Sequence, residues 1–353
     1  MIIEAIRALV ERRDLTRLEA AAAMEAIMSG GATHAQVAAF LTALRMKGET
    51  VEELIGLAEV MRVKAVRVRT RSEVEAALAG TDREMLIDTC GTGGDATGTF
   101  NVSTATAFVV AGAGVRVAKH GNRSVSSLCG SADVVETLGV NLDLPAPKVA
   151  QCIDEVGIGF LYAPLLHTAM KHVMPARREM GIRTVFNVLG PLTNPAGANA
   201  QVIGVYARGL VEPLARVLAE LGTTRAFVVH GADGLDEIST TGESWIAEVH
   251  EGLVRTATVR PEDFGVPRAA IAELRGGDRE ENAEIIRRIL AGEPGPRRDM
   301  VVVNAGAALV AGARARDFKE GVQQAAHAID SGAALGKLRA LTELSQRLAP
   351  TKA

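Results

Sequence analysis

Two glycine- and hydroxyl-rich stretches in this chain have the residue types that grip an anion. GTGGDATGT spans residues 91–99 and KHGNRSVSS spans residues 119–127. In the first, glycines let backbone N–H groups turn toward an anion with no Cβ in the way. In the second, Lys119 and Arg123 add cations, and Ser124, Ser126 and Ser127 add hydroxyl donors. Lysine brings a compact point charge; arginine brings a fork matched to phosphate oxygens. Asp236 and Glu237, adjacent in HGADGLDEIST, supply hard oxygens of the kind Mg2+ shares with substrate phosphates. Asp95 offers a second acidic contact, to ribose hydroxyls or metal. Among Arg177, Arg178 and Arg183, one can hold an acceptor carboxylate in bidentate fashion, while at least one reads as surface charge. His167 and His172 are five apart, which suits metal ligation less well than a spacing of four on one helix face. They read as structural or substrate-proximal.

These residues need elements to place them. Both phosphate stretches follow an apolar run and precede a helix, whose N-terminus adds partial positive charge. Strands are expected at 85–90, 115–119, 158–163, 202–207 and 226–230. A helix is expected over Asn101 to Gly112, opened by Ser103 or Thr104, and another over Ala132 to Leu138, capped by Ser131. Strands alternating with helices imply an α/β fold with a mostly parallel sheet covered on both faces, and ligands in such sheets bind at the carboxyl ends of strands.

The N-terminal segment reads differently. Thr16 with Glu19, Thr33 with Gln36 and Thr50 with Glu53 form three capping-box patterns. Gly30-Gly31 and Gly48 sit where helices stop. Val37, Phe40, Leu41 and Leu44 recur at helical spacing, an apolar stripe able to pack on the rest of the chain or on a second copy. Residues 164–183 form a helical interruption that rejoins this bundle. The expected organisation is a small helical domain, 1–72 plus 164–185, and a larger α/β domain, 73–163 plus 186–353. The tail from 297 to 348 reads as Ala-rich helices with no catalytic pattern.

Bulk properties narrow the function classes. The 353 residues are 48% apolar and 23% charged, with a net charge of −3. That balance argues against general nucleic-acid binding. No apolar run reaches the roughly 18 residues of a membrane span. Glu4 and Arg7 interrupt any signal-peptide core. Cys90, Cys129 and Cys152 share no CxxC spacing and read as reduced thiols of a cytoplasmic protein.

The stretch from Asp88 to Val140, together with RREMGIRTVFNVLGPLTNPA (177–196) and DGLDEIS (233–239), resembles the anthranilate phosphoribosyltransferase family over essentially the whole chain. The resemblance implies transfer of the phosphoribosyl group of phosphoribosyl diphosphate to the amine of anthranilate, a step of tryptophan biosynthesis. It implies Mg2+ and a homodimer formed through the helical part, and leaves open an association with anthranilate synthase. The nucleoside phosphorylase/phosphoribosyltransferase-like fold goes with it. By matching motifs, the resemblance implies phosphoribosyl diphosphate contacts at Gly91, Gly94, Asp95 and Thr99, then Asn101, Val102, Ser103 and Thr104. They continue through Lys119, His120, Gly121, Asn122, Arg123, Ser124, Ser126, Ser127 and Ser131. Anthranilate falls on Gly91, Asn122 and Arg177; metal falls on Ser103, Asp236 and Glu237. No residue is implied as a general acid or base. The alternatives are a pyrimidine nucleoside phosphorylase, whose second loop is of the KxSGR type where this chain has KHGNR, and a non-enzymatic nucleic-acid-binding relative.

Overall fold

The computed structural model describes residues 1–94, 97–124 and 128–349. The chain opens with four helices: α1 (Ile2–Val10), α2 (Arg17–Met28), α3 (His34–Lys47) and α4 (Val51–Lys64). All three expected capping boxes are made. The Thr16, Thr33 and Thr50 hydroxyls accept the N–H three residues on at 3.2–3.3 Å, and Glu19, Gln36 and Glu53 return the bond at 2.8–2.9 Å. Each box satisfies two helix-end donors that would otherwise lack partners. Gly48 ends α3 at φ +91, a conformation glycine adopts without a Cβ penalty. The stripe of Val37, Phe40, Leu41 and Leu44 is fully buried inside this chain. It therefore offers no face to a second copy.

After α5 (Arg71–Ala79) the sheet begins, with β1 (Leu86–Gly91) leading to α6 (Val102–Gly112). Next come β2 (Arg116–Gly121), α7 (Ser131–Thr137), α8 (Ala146–Val156) and β3 (Ile158–Tyr162). The interruption follows as α9 (Ala163–Leu166), a 3-10 turn over Thr168–His172, α10 (Met174–Met180) and α11 (Phe186–Leu192). The second half holds β4 (Ala200–Gly204), α12 (Val211–Glu220), β5 (Arg225–Gly231), β6 (Ser244–His250) and β7 (Leu253–Val259). Helices α13 (Arg279–Leu290), α14 (Pro296–Ala311), α15 (Phe318–Asp330) and α16 (Ala333–Arg347) close the chain.

The seven strands lie in the order β3-β2-β1-β4-β5-β6-β7. The first five are parallel, as expected; β6 and β7 add an antiparallel hairpin that the sequence reading did not include. The fourth strand begins two residues earlier than expected and stops at Gly204, where Tyr206 N–H turns to the Thr92 hydroxyl at 3.0 Å. Two expected caps are corrected. Asn101, not Ser103 or Thr104, flanks α6, and its own amide is spent elsewhere. Ser131 is the first residue of α7, and Asp133 takes the Gly130 N–H at 2.9 Å in its stead.

Strand alternation divides the apolar side chains between two cores. Ile87, Val202 and Phe227 face α6 and α14, while Cys90, Ile203 and Val228 face the other way. That second core runs without a break from the sheet through α11 and α12 into the four-helix bundle, and takes in Val173 and Ala176. Helix α10 packs on α3, and α4 packs on α11 and α12. No helix among the described residues is long and apolar enough to cross a membrane.

Candidate active site

The carboxyl ends of β1, β2, β4 and β5 carry the loops singled out above. Register sets Gly91 of β1 beside Gly204 of β4. This pair of glycines makes room for the acidic loop. A Cβ on Gly91 would stand 2.4 Å from an Asp236 carboxylate oxygen, and a Cβ on Gly204 would stand 1.4 Å from the Asp236 carbonyl. Asp236 then accepts the Gly93 N–H at 2.8 Å. The acidic loop and the first phosphate loop are thus in direct contact, although 143 residues separate the partners.

Gly93, Gly94 and Gly98 all have left-handed backbone, at φ +64, +77 and +70. The loop is fastened at both ends. Thr92 N–H donates to Gly204 O at 2.9 Å, and Gly98 O accepts the Gly276 N–H at 2.9 Å. Thr99 forms an isolated bridge with Arg275. Asn101 donates to Cys129 O at 3.2 Å and accepts from Asn282 at 3.1 Å, tying the start of α6 to the second loop and to α13. Val102, Ser103 and Thr104 make the first turn of α6. Arg183 donates to Gly94 O at 3.0 Å while lying over the Tyr206 ring, so it binds the first loop from the side of the helical interruption.

Beneath the second loop lies a buried polar cluster. Lys119 is 3% exposed, and among the described residues its ammonium has long contacts of 3.4 Å to Ser103 Oγ and His120 O. Asp88, fully buried on β1, accepts the His120 N–H at 3.1 Å and the Asn194 amide at 2.8 Å. Burial pushes the Asp88 carboxyl up from its ordinary range, against the pull of Lys119 and these donors. Asn194 also donates to Ala118 O at 2.9 Å, so the PLTNP segment is stitched to β1 and β2 together. The sequence reading passed over Asp88 and Asn194. Their signal was polar side chains inside the otherwise apolar LIDTC and next to the PLT turn.

His120 and His167 stack with ring centroids 5.1 Å apart. Burial drives both below the usual imidazole range, His167 to about 4. Both His167 nitrogens and His120 Nε2 are buried with no hydrogen-bond partner among the described residues. His172 instead packs over Gly30 at the end of α2, away from this pair.

The second loop folds back on α7. Asp133 accepts the N–H groups of Ser124 and Gly130, and Asn122 O accepts the Ala132 N–H at 3.1 Å. Ser131 Oγ accepts the Asn122 N–H at 3.3 Å. Gly121 is required here, because a Cβ would meet Ser131 Oγ at 2.3 Å. Arg123 is paired with Asp133 at 2.9 Å and Glu136 at 2.8 Å and reaches the Tyr162 hydroxyl at 3.2 Å. Those carboxylates hold its guanidinium more firmly protonated than usual. Arg123 is therefore engaged, where the sequence reading had it open to phosphate. Asp95, Ser126 and Ser127 lie outside the described residues.

In the helical interruption, Arg177 of α10 lies over the Phe186 ring at 5.5 Å with no acidic partner among the described residues. Burial lowers its pKa, as expected for a guanidinium without a counter-ion. Arg178 is exposed on the same helix.

Comparisons with known proteins agree with this architecture. Residues 83–335 match the α/β domain of a glycosyl transferase family, and residues 3–65 match that family's helical bundle domain. An anthranilate phosphoribosyltransferase from Symbiobacterium thermophilum is 57% identical over 343 residues, covering 97% of each chain. The crystal structure of anthranilate phosphoribosyltransferase from Thermus thermophilus superposes with a TM-score of 0.89 at 42% identity, covering 97% of this chain and 99% of that one. The Saccharomyces cerevisiae enzyme of the same name, in complex with PRPP and Mg, gives 0.87 at 28% identity and 98% coverage of both.

Proposed function

The chain belongs to the anthranilate phosphoribosyltransferase family, and on that premise we propose how its residues divide the work of moving a phosphoribosyl group from phosphoribosyl diphosphate to the amine of anthranilate. The contact between Asp236 and the Gly93 N–H carries the proposal. It sets one hard carboxylate, with Glu237 next to it in sequence, against a glycine-rich loop suited to anions, the combination a phosphate-bridging divalent ion takes. Among the described residues no three His, Cys, Asp or Glu gather to hold an ion alone. The carboxylate oxygens of Asp236 and Glu237 suit Mg2+, which keeps waters and shares substrate phosphates. Asp236 and Glu237, with Ser103, would hold it. An ion held there would supply charge neutralisation for the diphosphate leaving group.

The protein's own groups do the rest. Gly91, Gly94 and Thr99 with the α6 N-terminus (Asn101, Val102, Ser103 and Thr104) present backbone and hydroxyl donors to the diphosphate, and Asp95 meets the ribose hydroxyls. Lys119, backed by Asp88, supplies a fixed positive charge that stabilises the oxygens as they gain charge. His120, Gly121, Asn122, Ser124 and Ser131, with Ser126 and Ser127 by motif, are the groups assigned to the substrate's phosphates. Arg123 joins them by exchanging Asp133 and Glu136 for phosphate, one charge-assisted bond for another. Arg177 takes the anthranilate carboxylate beside Gly91 and Asn122. The aromatic amine is already a neutral nucleophile, so placement replaces deprotonation. This fits a site with no assigned general base.

The test is anthranilate fluorescence mixed with phosphoribosyl diphosphate. We expect it to decay only when protein and Mg2+ are both present. Persistent fluorescence, or phosphorolysis of thymidine by this chain, overturns the reading. A cytoplasmic homodimer joined through the bundle completes the proposal; exposed Val10, Leu18, Met46 and Val63 are the apolar side chains available to it. All three cysteines are free and buried, in keeping with a reducing compartment.

A further inference from the structure

Helix α14 runs VVVNAGAALVA through the first core, with every residue from Met300 to Ala311 buried. One of them is strongly polar. Asn304 is 1% exposed, and an amide in such surroundings is costly unless every bond is made. The bonds are made, and two of the three go to a single residue far away in sequence. Asn304 Oδ1 accepts the Ile238 N–H at 2.9 Å, and Nδ2 donates to Ile238 O at 3.0 Å. A third bond, from Nδ2 to Met300 O at 2.9 Å, fixes the amide against its own helix.

The side-chain amide thus grips both polar groups of one peptide residue, as a neighbouring strand would. Ile238 directly follows Asp236 and Glu237, and its side chain is fully buried. On the other side, Asp236 is pressed on Gly204 and bonded to Gly93. The short acidic segment is therefore clamped between the sheet and α14. Asp236 and Glu237 lie in a bend, not in a strand, so the directions of the two neighbouring carboxylates depend on how the backbone between them is held. An apolar residue at 304 would fill the core equally well and leave Ile238 N–H and O buried without partners.

We infer that Asn304 is a positioning residue for the divalent-cation site, holding the Asp236-Glu237 backbone in its ligating conformation through the peptide of Ile238. This rests on the acidic pair being the cation site, as proposed above. Metal sites lose roughly 10–100-fold in affinity when the groups that orient their ligands are removed.

The experiment reads cation binding directly, by electron paramagnetic resonance of free Mn2+ titrated into protein with saturating phosphoribosyl diphosphate. Asn304→Ala is expected to weaken Mn2+ about 10–100-fold, with the anthranilate KM unchanged and turnover recovering at high Mg2+. Affinity and Mg2+ dependence equal to the parent's would overturn the inference. Asp236→Asn runs alongside: if it too leaves Mn2+ binding untouched, the cation-site reading has failed, and that result is distinct from a failure of Asn304 alone. Should Asn304→Ala not fold, Asn304→Asp keeps the volume and the acceptor for Ile238 N–H but sets a carboxylate against Ile238 O, and the same outcomes apply. In the parent protein the Ile238 amide should exchange with solvent more slowly than its loop neighbours; fast exchange also overturns the clamp.

Discussion

At position 177 a guanidinium sits over an aromatic ring with no carboxylate among its described neighbours. A ligand carboxylate arriving there gains charge-assisted bonds without displacing a protein partner, worth about 1.5–3 kcal/mol. Arg177→Ala should therefore raise the anthranilate KM roughly 10–100-fold while leaving the phosphoribosyl diphosphate KM nearly unchanged. Steady-state kinetics with each substrate varied in turn will show this; equal effects on both would make Arg177 a structural residue. His167 makes a prediction of another kind. Burial holds its imidazole neutral down to about pH 4, whereas in an unfolded chain it takes up a proton near 6.5. Above that pH both states are neutral and the native state keeps its full advantage. As pH falls from about 6.5 to 4 only the unfolded state gains the proton, so stability declines by on the order of 3 kcal/mol. His120, lowered for the same reason, acts in the same direction. Tm measured from pH 7.5 to 4.5 should fall, and His167→Gln should flatten the decline; an unchanged slope would show that His167 does not cause it.

Among the elements, the N-terminal helices were the most legible. Their capping pairs are local, three residues apart, and need no knowledge of tertiary structure. One of them does more than cap. Glu53 is fully buried, accepts the Leu15 and Thr50 N–H groups at 2.9 and 2.8 Å, and pairs with Lys47 at 2.9 Å. Glu53→Ala leaves Lys47 with Asp14 and the Gly48 carbonyl, both at 2.7 Å, but takes the acceptor from the buried Leu15 N–H and from Thr50 N–H. Leaving a buried donor without its acceptor costs about 1–3 kcal/mol, so calorimetry should show a Tm lower by several degrees; a shift under one degree would contradict the assignment. The parallel strands and both phosphate loops were also readable, because glycine clusters mark the strand ends. The hairpin of β6 and β7 was missed, although Glu251-Gly252, both at positive φ, is a two-residue turn between alternating runs. The pairing that assembles the site was hidden for a stronger reason. Gly204 beside Asp236, Asp88 beside Asn194 and Asn304 beside Ile238 join residues far apart in the chain, and no local pattern encodes such contacts.

For the molecule as a whole, the decisive feature is the core that passes from one face of the sheet into the helical bundle. The helical and α/β regions share buried Leu54, Leu57, Leu189, Leu192 and Leu214, so the bundle and the sheet face it covers have one apolar interior between them. Heating should therefore give one cooperative calorimetric transition, and two resolved peaks would refute the shared core. Since the α3 stripe is consumed within the chain, the proposed dimer would use the outward side chains of the bundle. Light scattering at micromolar concentration should report a dimer, and a monomer would exclude that surface.

The shared core also limits how this chain can be recombined with its relatives. A chimera joined near residue 70 would bring a foreign α4 against native α11 and α12, across a surface whose shapes were never fitted to each other. Crossovers that import α11 and α12 along with the bundle keep the packed partners together. The inheritable unit is therefore set by which side chains interlock, and it is discontinuous along the gene.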